Sequence, residues 1–125
     1  MPSKIRLQKI ADRIREEVSE MLIMEMTDPR LAGITVTDVN VDRELAYANI
    51  YVSALEGSER ADEIVSTLYH AKGFIRSKLA ARIELRVFPH LRFYWDPTPE
   101  KADHIERLLN SLRDEPPTNE EQEEN

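Results

Sequence analysis

Cysteine is absent from this 125-residue chain, which removes disulfides, thiolate metal sites and a cysteine nucleophile and makes a cytoplasmic address the expectation. Glycine is nearly as scarce. Gly33, Gly57 and Gly73 stand 24 and 16 residues apart, so neither a phosphate-cradling P-loop nor a dinucleotide fingerprint can be written. His70, His90 and His104 are 20 and 14 residues apart, without H-x-x-x-H spacing, and read as surface or half-buried side chains. No serine lies in a G-x-S-x-G elbow. No apolar run approaches the roughly 20 residues of a membrane span, and the N-terminus is charged too early for a signal peptide. Catalysis has no visible seat, and no cofactor, metal or membrane partner is expected.

What is present is a composition of 33% charged and 41% hydrophobic residues, suited to one soluble domain with a core. The net charge of −7 argues at first against a nucleic-acid partner. The charge is unevenly placed, however. Asp114 to Asn125 holds six acids and no base, leaving 18 acids against 17 bases in residues 1–113. The expected organisation is one domain over residues 1–113 followed by an acidic, disordered tail over 114–125.

Apolar residues Leu7, Ile10, Ala11, Ile14, Val18, Met21 and Leu22 recur at helical spacing between Lys4 and Glu25, and Thr27-Asp28-Pro29 ends that helix. Ile34 to Val41 reads as a strand whose alternation is clear from Val39 onward and only approximate back through Val36. Leu45 to Leu55 alternates Ala46, Ala48, Ile50, Val52 and Ala54 against Tyr47, Asn49, Tyr51 and Ser53, so the two strands pair as a hairpin. Ser58 is an expected N-cap for a helix towards His70, Gly73 marks a kink, and Phe74, Ile75, Leu79 and Ile83 resume helical spacing in a new phase. Leu85 to Trp95 reads as a third strand, irregular because of Pro89. Thr98 and Pro99 open a last helix with a stripe of Ala102, Ile105, Leu108, Leu109 and Leu112. The order implies an α+β domain, its three-stranded sheet covered by helices on one face.

Two basic concentrations carry the functional signal. On the first helix Arg6, Lys9 and Arg13 precede Glu16, Glu17 and Glu20, the reverse of what the helix dipole favours. Pairing with Glu17 accounts for Arg13 and leaves Lys4, Arg6 and Lys9 without partners. From Tyr69 to Arg92, Lys72, Arg76, Lys78, Arg82, Arg86 and Arg92 face Glu84 alone. Side chains snorkelling round a buried helix would explain the spacing but not the scarcity of acid, so phosphate contact is expected. Tyr69, Phe74, Phe93 and Trp95 read as core, and Tyr47 and Tyr51 as core packing or surface.

The α-β-β-α-kink-α-β order, with Ala71-Lys72-Gly73 at the kink, resembles ribosome-binding factor A, a bacterial KH-type (type II) domain in which an A-x-G kink replaces the G-x-x-G loop. Arg13-Ile14, Asp28-Pro29-Arg30-Leu31, Ile34 to Val39, Ala48 to Ser53, and Arg86 with Pro89, Leu91 and Phe93 agree with it, over about residues 3–113. The resemblance implies a non-catalytic factor that binds the immature 30S subunit and its 16S rRNA. It also implies support of late maturation, including 5′-end processing, and of cold adaptation, with release by a ribosome-associated GTPase. A KH loop clamps single-stranded RNA by close backbone approach. The Ala71 methyl narrows that approach, so folded RNA gripped through phosphates is expected. The expected RNA-binding set is Lys4, Arg6, Lys9, Arg13, Lys72, Arg76, Lys78, Arg82 and Arg86, on a monomer. The alternative is a protein-interaction adaptor acting through the apolar seam of Ile75, Leu79 and Ile83, which the cations of the third helix flank, and through its acidic tail.

Overall fold

The computed structural model describes residues 3–114, so the tail beyond Asp114, with Pro116-Pro117, lies outside the described residues. The elements are α1 (Lys4–Met24), β1 (Ile34–Val41), β2 (Tyr47–Ala54), α2 (Ala61–His70), α3 (Lys72–Arg82), β3 (His90–Trp95) and α4 (Thr98–Asp114). Short 3-10 turns occupy Pro29–Leu31 and Ser58–Arg60. The class is the α+β one expected. β1 and β2 form the antiparallel hairpin, and β3 joins β2 in parallel, giving the order β1-β2-β3.

One cluster of buried side chains joins the layers. Ile14, Val18 and Met21 of α1, Ile64 and Leu68 of α2, and Ile75 and Leu79 of α3 meet Ile50 and Val52 of β2 and Phe93 of β3. Each such burial is worth about 1.5–3 kcal/mol. The opposite face of the sheet carries Tyr47, exposed, with Asn49 and Tyr51 half-buried, as the alternation predicts, whereas Ser53, expected beside them, is buried. The imperfect alternation of β1 has a cause, a break in pairing register between Val36 and Asp38. A bulge of this kind re-aims one side chain. Here it frees Thr37, whose hydroxyl donates to Asp96 Oδ2 at 2.6 Å.

The Asp28-Pro29-Arg30-Leu31 motif is structural. Asp28 accepts from the Arg30 backbone N–H at 3.0 Å and pairs with the Arg30 guanidinium at 2.6 Å, while Arg60 donates to the Arg30 carbonyl at 2.8 Å. The Arg30 hydrogen bonds hold the Asp28 carboxyl down at about 2. Those from the Thr37 hydroxyl and Thr98 N–H hold Asp96 below the ordinary carboxylate value. Lower folded values mean a contribution to stability that is complete above the unfolded-state value and is lost as pH falls through the folded one. Thermal melts are therefore expected to weaken below about pH 4. Asp28→Asn combined with Asp96→Asn should flatten that acid limb.

Two local expectations are corrected, and a third holds with its apolar side uncovered. Strand β3 starts at His90 rather than Leu85, because Pro89 offers no amide and the Phe88 and Pro89 carbonyls are bonded to Arg76 instead of a strand neighbour. Ser58 does not cap α2; its hydroxyl donates to Glu100 at 3.3 Å, and a 3-10 turn leads into the helix. The stripe on α4 forms with the expected spacing but is not buried, with Ile105 57% and Leu112 70% exposed.

Candidate nucleic-acid interface

The break between α2 and α3 lies at Ala71, not Gly73. Ala71 has φ −90° and ψ 3°, its N–H is shared between the Thr67 and Leu68 carbonyls at 3.1 Å, and its own carbonyl accepts from Ile75 at 3.0 Å. These angles are open to any residue. Gly73 is an ordinary residue of the first turn of α3, where an added Cβ meets nothing within 4 Å. The kink is made by rotating the backbone while hydrogen bonds continue across it, which presents Lys72 to solvent.

The nine expected cations divide into three groups. Arg76 and Arg82 are engaged within the fold. Arg76 donates through Nε to the Pro89 carbonyl at 3.0 Å and through Nη2 to the Phe88 carbonyl at 2.5 Å, tying α3 to the segment before β3. Arg82 grips both carboxylate oxygens of Glu25 at 2.7 Å with Glu17 at 3.7 Å, and this pairing raises its guanidinium above the ordinary value. Arg13 is intermediate, exposed yet donating to the Arg82 carbonyl at 3.3 Å and lying 4.0 Å from Glu17. The other six, Lys4, Arg6, Lys9, Lys72, Lys78 and Arg86, have no carboxylate within ion-pair distance among the described residues.

Those six occupy defined places. Lys72 lies 5.8 Å from the Tyr69 ring centre and Lys78 5.5 Å from that of Phe74. Both rings were expected in the core, but they are 40% and 46% exposed. Tyr69 reaches inward only by its hydroxyl, which accepts from the Phe93 N–H at 3.0 Å, and by its edge-to-face contact with Phe93. The kink thus presents cations over aromatic faces, a pairing suited to nucleic acid. Separately, Arg6 from α1 and Arg86 from the segment before β3 line one cleft of about 500 Å³ with His90 and Glu44. Lys4 and Lys9 are exposed on α1 to either side of Arg6. The structure therefore joins Arg6 of α1 to Arg86, and sets Lys72 at the kink with Lys78 further along α3.

Arg92, named in the basic run but not in the expected RNA-binding set, has surroundings that the sequence did not indicate. Its guanidinium lies 3.4 Å from the Tyr47 ring centre, and Tyr51 and Tyr94 stack beside it at 5.2 Å and 25°. Strand alternation placed Tyr47 and Tyr51 together; only the parallel pairing of β2 with β3 brings Arg92 and Tyr94 to them. Among the described residues no three His, Asp or Glu side chains are grouped to hold a metal ion, and no helix is long and apolar enough to cross a membrane.

Comparison with known proteins agrees with this architecture. The family model described as Ribosome-binding factor A matches residues 6–109. A ribosome-binding factor A of Alcanivorax borkumensis is 42% identical over 111 residues, covering 88% of this chain and 81% of the relative. One from Staphylococcus carnosus is 34% identical over 110 residues, covering 88% and 96%. The crystal structure of ribosome-binding factor A from Thermus thermophilus shares the fold, with a TM-score of 0.65 at 22% identity over 71% of this chain and 93% of that one. A homology model of the Thermus thermophilus factor, fitted into a cryo-electron-microscopy map of a 30S complex, has a TM-score of 0.55 at 26% identity, covering 66% and 87%. The α+β order with a mixed three-stranded sheet is the KH-type arrangement of these structures. By sequence over most of its length and by fold, this chain belongs to the ribosome-binding factor A family.

Proposed function

We propose that this chain is a non-catalytic bacterial assembly factor that binds the immature 30S subunit through its 16S rRNA and supports late maturation, including 5′-end processing. It acts in the cytoplasm as a monomer, matters most in the cold, where misfolded RNA escapes slowly, and is released by a ribosome-associated GTPase. The observation that carries the reading is the set of six cations without carboxylate partners among the described residues, two of them beside exposed aromatic rings. A fold with so many carboxylates that leaves these six free keeps them for an external anion. The subunit in the fitted 30S complex of the Thermus thermophilus relative is the partner that this chemistry suits.

The apolar seam of Ile75, Leu79 and Ile83 expected to serve an adaptor is buried in the core, so that reading is left with a different observation, the uncovered stripe of Ile105, Leu108, Leu109 and Leu112 on α4. Co-sedimentation separates the two. Binding to immature small subunits is expected to weaken steeply with salt and to be abolished by nuclease digestion of the 16S rRNA. Retention after digestion would favour the adaptor.

A further inference from the structure

The outer face of the sheet differs from both basic clusters. Across its registered rows it carries Asn40, Asn49 and Arg92, then Asp38, Tyr51 and Tyr94, with Tyr47 opposite His90. No aliphatic side chain is among them. The face offers planar groups instead. Tyr47 and Tyr94 are 37% and 38% exposed, the Arg92 plane is held against Tyr47, and Tyr51 stacks on Tyr94. Arg92 has no carboxylate within ion-pair distance among the described residues. Asp38 lies on β1; near β3 the acids are Asp96, which is bonded to Thr37, and Glu44, which lines the cleft beside His90.

We infer that this face is a stacking surface for unpaired RNA nucleotides, with Arg92 and Tyr94 on β3 as its two platforms. The inference rests on the RNA-binding reading above and adds the kind of RNA and the place where it binds. Residues two apart on a strand stand about 6.6 Å apart, roughly twice the 3.4 Å stacking repeat of nucleic acid. Arg92 and Tyr94 therefore match a strand whose bases are splayed, each resting on its own platform, and not a stacked duplex. Arg92 is half-buried with its guanidinium carbon over the Tyr47 ring, and a guanidinium so placed can take a base on its other plane while its edge donates to phosphate. His90 also lines the cleft of Arg6 and Arg86, so the backbone of such a strand can pass from those cations onto the sheet. The sheet face thus reads single-stranded RNA, in contrast to the phosphate grip on folded RNA at the kink.

The test uses the full chain and a labelled eight-nucleotide RNA of mixed sequence, alone or annealed to its complement, followed by fluorescence anisotropy. The single strand should bind more tightly than the duplex. Tyr94→Leu and Arg92→Lys should each weaken single-strand binding by about tenfold, and Tyr94→Phe should retain it. Amide shifts in the unmodified protein give a readout that does not depend on any variant folding: residues 90–95 should move on adding the single strand, and their silence overturns the inference. Equal binding by Tyr94→Leu and the unmodified chain overturns it too. Salt-sensitive binding to immature subunits would survive either result, leaving the parent reading intact. Loss of subunit affinity without loss of oligonucleotide affinity in the variants would instead assign the face to a ribosomal protein.

Discussion

Replacing Arg6, Lys72, Lys78 and Arg86 together by glutamate is expected to weaken binding to immature small subunits by roughly a hundredfold or more. The slope of log K against log salt should become shallower by about 3. The four are chosen from both basic clusters and have no internal carboxylate to release, so the fold should tolerate the change. Circular dichroism melts provide the control. The salt slope is the decisive measurement, because a nonspecific loss of protein would lower apparent affinity at every salt concentration without changing it. An unaltered slope would remove these residues from the interface.

Arg76→Ala should act on stability instead. Its guanidinium donates to two carbonyls beside the buried Phe88 and Pro89, and truncation strands both acceptors. Hydrogen bonds from a charged group and the desolvation of unmet acceptors together suggest a loss of about 2–3 kcal/mol. In urea unfolding this is a lower midpoint at unchanged m. Arg76→Lys should recover only part of it, since an ammonium cannot present a planar fork to two acceptors. Unchanged stability accompanied by weaker RNA binding would return Arg76 to the interface. The same reasoning explains why reversing Arg82 is a poor probe of RNA contact: it would place a third carboxylate beside Glu17 and Glu25.

What was legible in the sequence was what depends on neighbours along the chain. Helical spacing located α1, α2, α3 and α4, and period-two alternation assigned Ile50 and Val52 inward with Tyr47 and Tyr51 outward. The reversed charge order on α1 also stands, with no acid in its first turn. What was hidden depends on contacts between distant segments. Nothing near Arg82 in sequence announces Glu25, and nothing near Arg76 announces the carbonyls of Phe88 and Pro89, so both arginines looked as available as Lys72. Arg92 stood in the same basic run, but its seat against Tyr47 exists only once β3 lies beside β2. Gly73 was overread, because glycine suggests backbone freedom whereas the turn at Ala71 uses angles that alanine adopts readily. Periodicity on α4 correctly announced a helix and said nothing of whether its apolar side would be covered.

The parallel seating of β3 on β2 also sets the order in which the molecule can assemble. The β1–β2 hairpin closes over a few residues, whereas β3 reaches its place only after the entire α2–α3 crossover has been laid down. Closing the longer loop costs more chain entropy, and contacts of high sequence separation slow folding. Until β3 docks, the open edge of β2 can be taken by another chain. The Phe93 N–H, satisfied at the end by the Tyr69 hydroxyl, can find that partner only when α2 and β3 are both in place. Closure of the sheet is therefore the late step, and cold, which slows chain diffusion and weakens apolar attraction, would delay it most.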